Sequence, residues 1–193
     1  MTSSTVAPRV VLCGPMGSGK SSVGKRLANA WEVTFRDTDH DVESTTGRTI
    51  SEIFASDGEP AFRELEHQAV LTALREHDGV LALGGGAVLD PRTQRELRTY
   101  QGEGGHIVFL DVSLRFAAMR VGMDANRPLL AGNPRARWAE IMTQRRPIYE
   151  DVADLHISTD QRTLAAVAQE IRHALEGWRP IAVQQRLHAQ GAL

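Results

Sequence analysis

Eight consecutive residues, Gly14-Pro15-Met16-Gly17-Ser18-Gly19-Lys20-Ser21, satisfy the pattern G-x4-G-K-[ST]. The chemistry of that spacing is phosphate binding. Glycines let the backbone wrap closely around phosphate oxygens with its N–H groups turned inward, and a helix opening at the lysine adds the positive end of its dipole. Lys20 would reach the β- and γ-phosphates of a nucleoside triphosphate, and the Ser21 hydroxyl would ligate Mg²⁺. Gly17, Ser18, Gly19 and Ser22 complete the set expected to touch the nucleotide. A glycine-rich turn that holds nothing is the plainer reading. It is set aside because the full motif follows an apolar run, Val10, Val11, Leu12 and Cys13, and opens a helical pattern. The motif alone leaves three outcomes for the γ-phosphoryl: transfer to a small molecule, hydrolysis that drives motion, or hydrolysis as a switch.

Residues that would choose among these lie further along. Asp37-Thr38-Asp39 ends a short predicted strand, so its two carboxylates are expected side by side on that strand near the phosphates. One can hold a Mg²⁺-bound water while the other accepts the proton of an attacking hydroxyl; the competing role is a turn or helix cap before Val42. Gly84, Gly85 and Gly86 end a third strand, where a ligand can approach the backbone without Cβ clashes. Arg63, with Glu66 three residues on to orient it, and Arg145 are candidate anion binders or ordinary surface arginines. Arg127, in a loop-like stretch, is placed to neutralise developing charge on the phosphates or is a plain loop residue. Asp111 closes an apolar strand as a metal-binding Asp would, but capping the helix that begins near Leu114 is the favoured role.

The elements that must position these residues alternate. Apolar runs predict strands at 9–13, 34–37, 80–83, 106–112 and 155–158, and 3.6-residue periodicity predicts helices at 20–30, 60–76, 91–100, 114–123, 135–149 and 163–175. That order predicts a parallel α/β sheet with helices on both faces and a ligand site beyond the carboxyl ends of the strands. Residues 122–134, rich in Asn, Gly and Pro, read as a lid within 114–134, and 178–193 as a loosely packed C-terminal extension to a single domain over 1–177. With 22 basic and 24 acidic residues in 193, the net charge of −2 gives no support for a nucleic-acid or anionic-membrane partner. The single cysteine, Cys13, sits in an apolar run and reads as a buried core thiol. No stretch has the length and apolarity of a signal peptide or membrane span, so a cytoplasmic address is expected.

Taken together, GPMGSGKS, DTD, FRELE, LGGGAV, RPLL and QRRPIY, in that order over 10–171, resemble the shikimate kinase family. The resemblance implies a nucleoside-monophosphate-kinase-like P-loop fold with five parallel strands and a lid. It implies transfer of the ATP γ-phosphoryl to the 3-hydroxyl of shikimate, one Mg²⁺ per ATP, and a monomer. By match to the family's motifs, Asp39, Arg63, Gly85 and Arg145, with Gly84 and Gly86 beside them, would bind shikimate. Asp39 would meet the reacting hydroxyl, Asp37 would hold a Mg²⁺-bound water, Arg127 would contact nucleotide phosphates, and Gln161 would lie along the adenine. Under the resemblance Asp111 has no metal role. Two departures stand out: Ser22 where the family commonly has Thr, and a tail beyond Trp178 without a family counterpart. Two rivals remain, another small-metabolite kinase on the same fold, such as a gluconate kinase, and a non-catalytic binding module that retains the nucleotide site.

Overall fold

The computed structural model describes residues 6–121 and 133–175. Five parallel strands form one sheet in the order β2-β3-β1-β4-β5: β1 Val10–Cys13, β2 Phe35–Asp37, β3 Val80–Ala82, β4 Ile107–Asp111 and β5 Leu155–Ser158. Alternate residues of a strand face opposite sides, and the core divides accordingly. Val11, Cys13, Leu81 and Phe109 pack on one face with Leu97, Trp138, Met142 and Tyr149; Val10, Leu12, Val80, Val108 and Leu110 pack on the other with Val23, Leu27, Val167 and Ile171. Cys13 is buried in the first layer, and burial pushes its thiol up to about 12.

The helices are α1 Lys20–Trp31, α2 Thr38–Thr46, α3 Ile50–Ser56, α4 Gly58–Glu76, α5 Pro91–Gly102, α6 Leu114–Val121, α7 Pro134–Val152 and α8 Leu164–Ala174. All six expected helices are present, and α7 runs through Pro147 and three residues past its expected end. Its buried stripe, Trp138, Met142, Arg145, Tyr149 and Val152, keeps one face against the sheet.

Two helices, α2 and α3, were not expected. The α2 sequence, TDHDVESTT, buries only Thr38 and Val42, too few to set a period. It is held instead by its ends: Asp37 accepts from Asp39 N, and Gly47 closes the helix with φ 65°. The seven-residue α3 is too short to show periodicity, but its capping box, Thr49 with Glu52, is a legible start signal. The expected extension at 178–193 and all but the last two residues of the segment 122–134, with Arg127 in it, lie outside the described residues.

Candidate active site

A cavity of about 940 Å³ opens where the carboxyl ends of β1, β2 and β3 meet the amino end of α1. Its floor is the glycine-rich turn. Gly14 (φ 140°) can carry no side chain, because a Cβ would lie 2.5 Å from the backbone oxygen of Leu110. Lys20 Nζ reaches back over the turn to Gly14 O (2.9 Å) and Pro15 O (3.1 Å), which keeps its charge at the loop rather than in solvent. Ser18 is 1% exposed, and its hydroxyl has no hydrogen-bond partner among the described residues.

Beside the turn, Ser21 Oγ donates to Asp37 Oδ2 at 2.7 Å. The other oxygen of Asp37 caps α2 by accepting from Asp39 N at 3.1 Å. Asp37 therefore takes the competing role of helix cap while its other oxygen lies against the phosphate-loop serine. Asp39 is not on the strand, as expected, but in the first turn of α2. The cap turns the chain, so the two carboxylates reach the cavity from different elements. Thr38 Oγ1 accepts from Gly84 N at 2.8 Å, which ties this turn to the triple glycine.

Asp39 lies in a crowded acidic environment. Burial raises its pKa, as do the carboxylates of Asp37 and Glu43, while Lys20 and Arg63 oppose the rise. Glu66 is also raised, by burial first, and it is held by Arg63 Nη1 at 2.6 Å. Arg63 is further braced by Glu59 at 2.7 Å, so both of its neighbours on α4 fix the guanidinium. The triple glycine has to be bare at this point. A Cβ on Gly84 would lie 2.3 Å from Asp39 Oδ1 and 2.6 Å from Glu66 Oε1, and one on Gly86 would lie 2.0 Å from Arg63 Nη1. Gly85 differs: its Cβ would rest at ordinary contact distance between Gly14 O, Met16 N and Arg145 Nη1. Arg145, 8% exposed, donates to Gly85 O at 3.0 Å.

The structure thus brings Lys20, Ser21, Asp37, Asp39, Gly85, Gly86 and Arg145 to one cavity with Glu66, and Arg63 lies against Gly86. The Asp111 carboxylate turns to Arg146, which donates to both of its oxygens at 2.7 and 2.8 Å, rather than to the start of α6. At the far end the cavity is lined by Arg162, Thr163 and Leu164 rather than by Gln161, which takes a left-handed turn with φ 55°.

Several lining residues escaped the sequence reading. Ile50, Ser51 and Phe54 come from the unrecognised α3, whose capping box was the available signal. Arg120 reaches the cavity from α6, its guanidinium bonded to Gly17 O (3.2 Å), Thr159 Oγ1 (2.8 Å) and Thr159 O (2.5 Å). Nothing in its spacing distinguishes it from Arg115, and only the fold selects it. Leu164, an exposed apolar side chain at 44%, stands at the same end. The cavity therefore has a cationic, glycine-lined floor, one end with two arginines and an apolar side chain, and another with buried carboxylates and arginines. That arrangement suits a polyphosphate on the floor, a flat apolar group at the first end and a small polar, anionic molecule at the other.

Comparison with known proteins agrees. The family model for shikimate kinase matches residues 16–176. The chain is 51% identical over 170 residues to a shikimate kinase of Streptomyces coelicolor, a match that covers 88% of this chain and 96% of that one. Among solved structures, a shikimate kinase from Acinetobacter baumannii in complex with shikimate superposes with a TM-score of 0.82 at 34% identity, covering 91% of this chain and 96% of the other. A deoxyadenosine kinase from M. mycoides, at 14% identity and a TM-score of 0.56 over 88% of this chain and 99% of its own, shares the fold alone.

Proposed function

The chain belongs to the shikimate kinase family, and from that premise we propose that it transfers the γ-phosphoryl of ATP to the 3-hydroxyl of shikimate, giving shikimate 3-phosphate and ADP. One observation carries the reading: Asp39, Arg145 and the Arg63–Glu66 pair converge on the triple glycine directly above the phosphate turn. A carboxylate beside two guanidinium groups fits an acceptor that bears both a hydroxyl and a planar carboxylate.

The roles follow from the chemistry. Phosphoryl transfer has a loose transition state, so the protein's work is alignment and charge stabilisation. Lys20 and the inward N–H groups of residues 17–22 hold the phosphates. Arg127, outside the described residues, would add charge stabilisation there. Arg63 and Arg145 hold the acceptor's carboxylate, and Asp39 accepts a hydrogen bond from, and finally the proton of, the attacking hydroxyl. Its raised proton affinity suits that task.

Arg120 and Leu164 face the nucleotide's base, with Gln161 next to Arg162 of the same lining. Ser21 and Asp37, 2.7 Å apart, form an oxygen pair that fits Mg²⁺. Such an ion takes one or two protein oxygens and completes its shell with water and substrate phosphates. When bound, Mg²⁺ neutralises charge on the β- and γ-phosphates. We read the enzyme as cytoplasmic and, by the family resemblance, as a monomer. Among the described residues no helix is long and apolar enough to cross a membrane.

The test is a coupled ADP-release assay with Mg²⁺-ATP, with shikimate, gluconate or a nucleoside monophosphate as acceptor. Turnover dependent on shikimate is expected. Turnover with another of these acceptors, or none despite tight ATP binding, would reject the assignment.

A further inference from the structure

Tyr149 is fully buried, can donate a hydrogen bond, and has no part in the roles above. It follows Arg145 by four residues on α7, so the two side chains share one face of the helix. Both donate to the same atom, Gly85 O. The phenol ring is stacked on Phe109 of β4, with centroids 5.1 Å apart. Burial raises its pKa above the ordinary value, so it remains a neutral donor throughout the working range. Seven residues before Arg145 on the same helix, Trp138 Nε1 donates to Met16 O of the phosphate turn at 3.4 Å. One helix thus grips both loops of the site.

We propose that Tyr149 is a positioning residue for the acceptor: by holding Gly85 O toward α7 it turns the Gly86 N–H into the acceptor end of the cavity. The described chain has no cis peptide, and in a trans unit the C=O and N–H point in opposite directions. With Gly85 O drawn to α7, the Gly86 N–H of the same unit faces away from that helix, and Gly86 lines the cavity. The second donor matters because Arg145 is wanted elsewhere. When its guanidinium engages an acceptor carboxylate, the phenol still holds the carbonyl, and the N–H stays aimed at an acceptor oxygen. This inference rests on the acceptor assignment proposed above.

Tyr149→Phe keeps the ring on Phe109 and removes only the hydroxyl. In steady-state assays it should raise KM for shikimate roughly three- to tenfold, the equivalent of one net hydrogen bond, with KM for ATP within about twofold of wild type. Phe109→Leu, which loosens the ring without touching the hydroxyl, should lower Tm and leave the ratio of the two KM values unchanged. A Tyr149→Phe enzyme with both KM values unchanged, or with both raised together, overturns the inference alone. A wild-type enzyme without shikimate-dependent turnover overturns the acceptor assignment and this inference with it.

Discussion

The two ends of the cavity are built in different ways. The phosphate end comes from one unbroken stretch between β1 and α1, and its donors are backbone N–H groups and one lysine that folds back on its own loop. The acceptor end is assembled from α2, α4, the triple glycine and α7, and its groups are held by one another: Arg63 by Glu66, Gly84 by Thr38, and Gly85 by Arg145 and Tyr149. A local loop reads a chemical feature common to all nucleoside triphosphates. A composite wall can be shaped to one acceptor, and any one of its members can be changed without dismantling the loop below.

The sharpest way to stress this contrast is Asp39→Asn. Loss of the buried carboxylate should lower kcat by about a hundredfold or more, with ATP affinity kept. The same change should stabilise the fold. Burial and Asp37 raise the Asp39 pKa, so the folded state holds this proton more tightly than the unfolded chain. Ionised Asp39 therefore works against folding: the penalty is complete above its raised pKa, fades as the pH falls from there towards the ordinary value of 3.8, and is gone below it. Thermal melts should show Asp39→Asn with a higher Tm than wild type at pH 7, the gap closing in acid. For the same reason, turnover of the wild type should fall with acidification from a higher pH than an ordinary aspartate would give. A variant with wild-type kcat, or with lower Tm at pH 7, would break this part of the contrast.

Stability should separate the two acceptor arginines. Arg63→Met strands Glu66, whose side chain is 3% exposed, without its ion-pair partner, and should cost on the order of 3–5 kcal/mol in urea melts. Arg145→Met leaves Gly85 O still bonded to Tyr149 and should cost less. Equal losses would mean that the mutual bracing is not as described. The smallest effect is expected at the phosphate end. Ser18→Ala removes a buried hydroxyl that has no partner among the described residues and should add about 1 kcal/mol of stability, read as a raised urea midpoint. A lower midpoint would mean that the hydroxyl is bonded after all.

The same contrast governs how much was legible. The phosphate turn could be read outright, because eight adjacent residues carry both the pattern and its context. Most of the alternating strands and helices were legible because they bury enough apolar surface to show a pattern, although β2 buries none of its three residues and β5 only Ile157. For the acceptor end, the family motifs supplied Asp39, Arg63, Gly85 and Arg145, but their mutual placement could not be read. Asp39 moved from strand to helix because a cap, not hydrophobicity, starts α2. Asp111 found Arg146 thirty-five residues away, a pairing that no local pattern announces. Arg120 and Leu164 are unremarkable in sequence and acquire a role only because the end of α6 and the start of α8 meet at the same opening.

The most direct test of the two-part construction is isothermal titration of wild type and Arg145→Ala with shikimate and, separately, with a non-hydrolysable ATP analogue in Mg²⁺. The structure predicts a shikimate affinity reduced by roughly a hundredfold, the scale of a lost charge-assisted pair, and a nucleotide affinity within about twofold of wild type. A parallel fall in both affinities would show that the two ends are one unit and contradict the account.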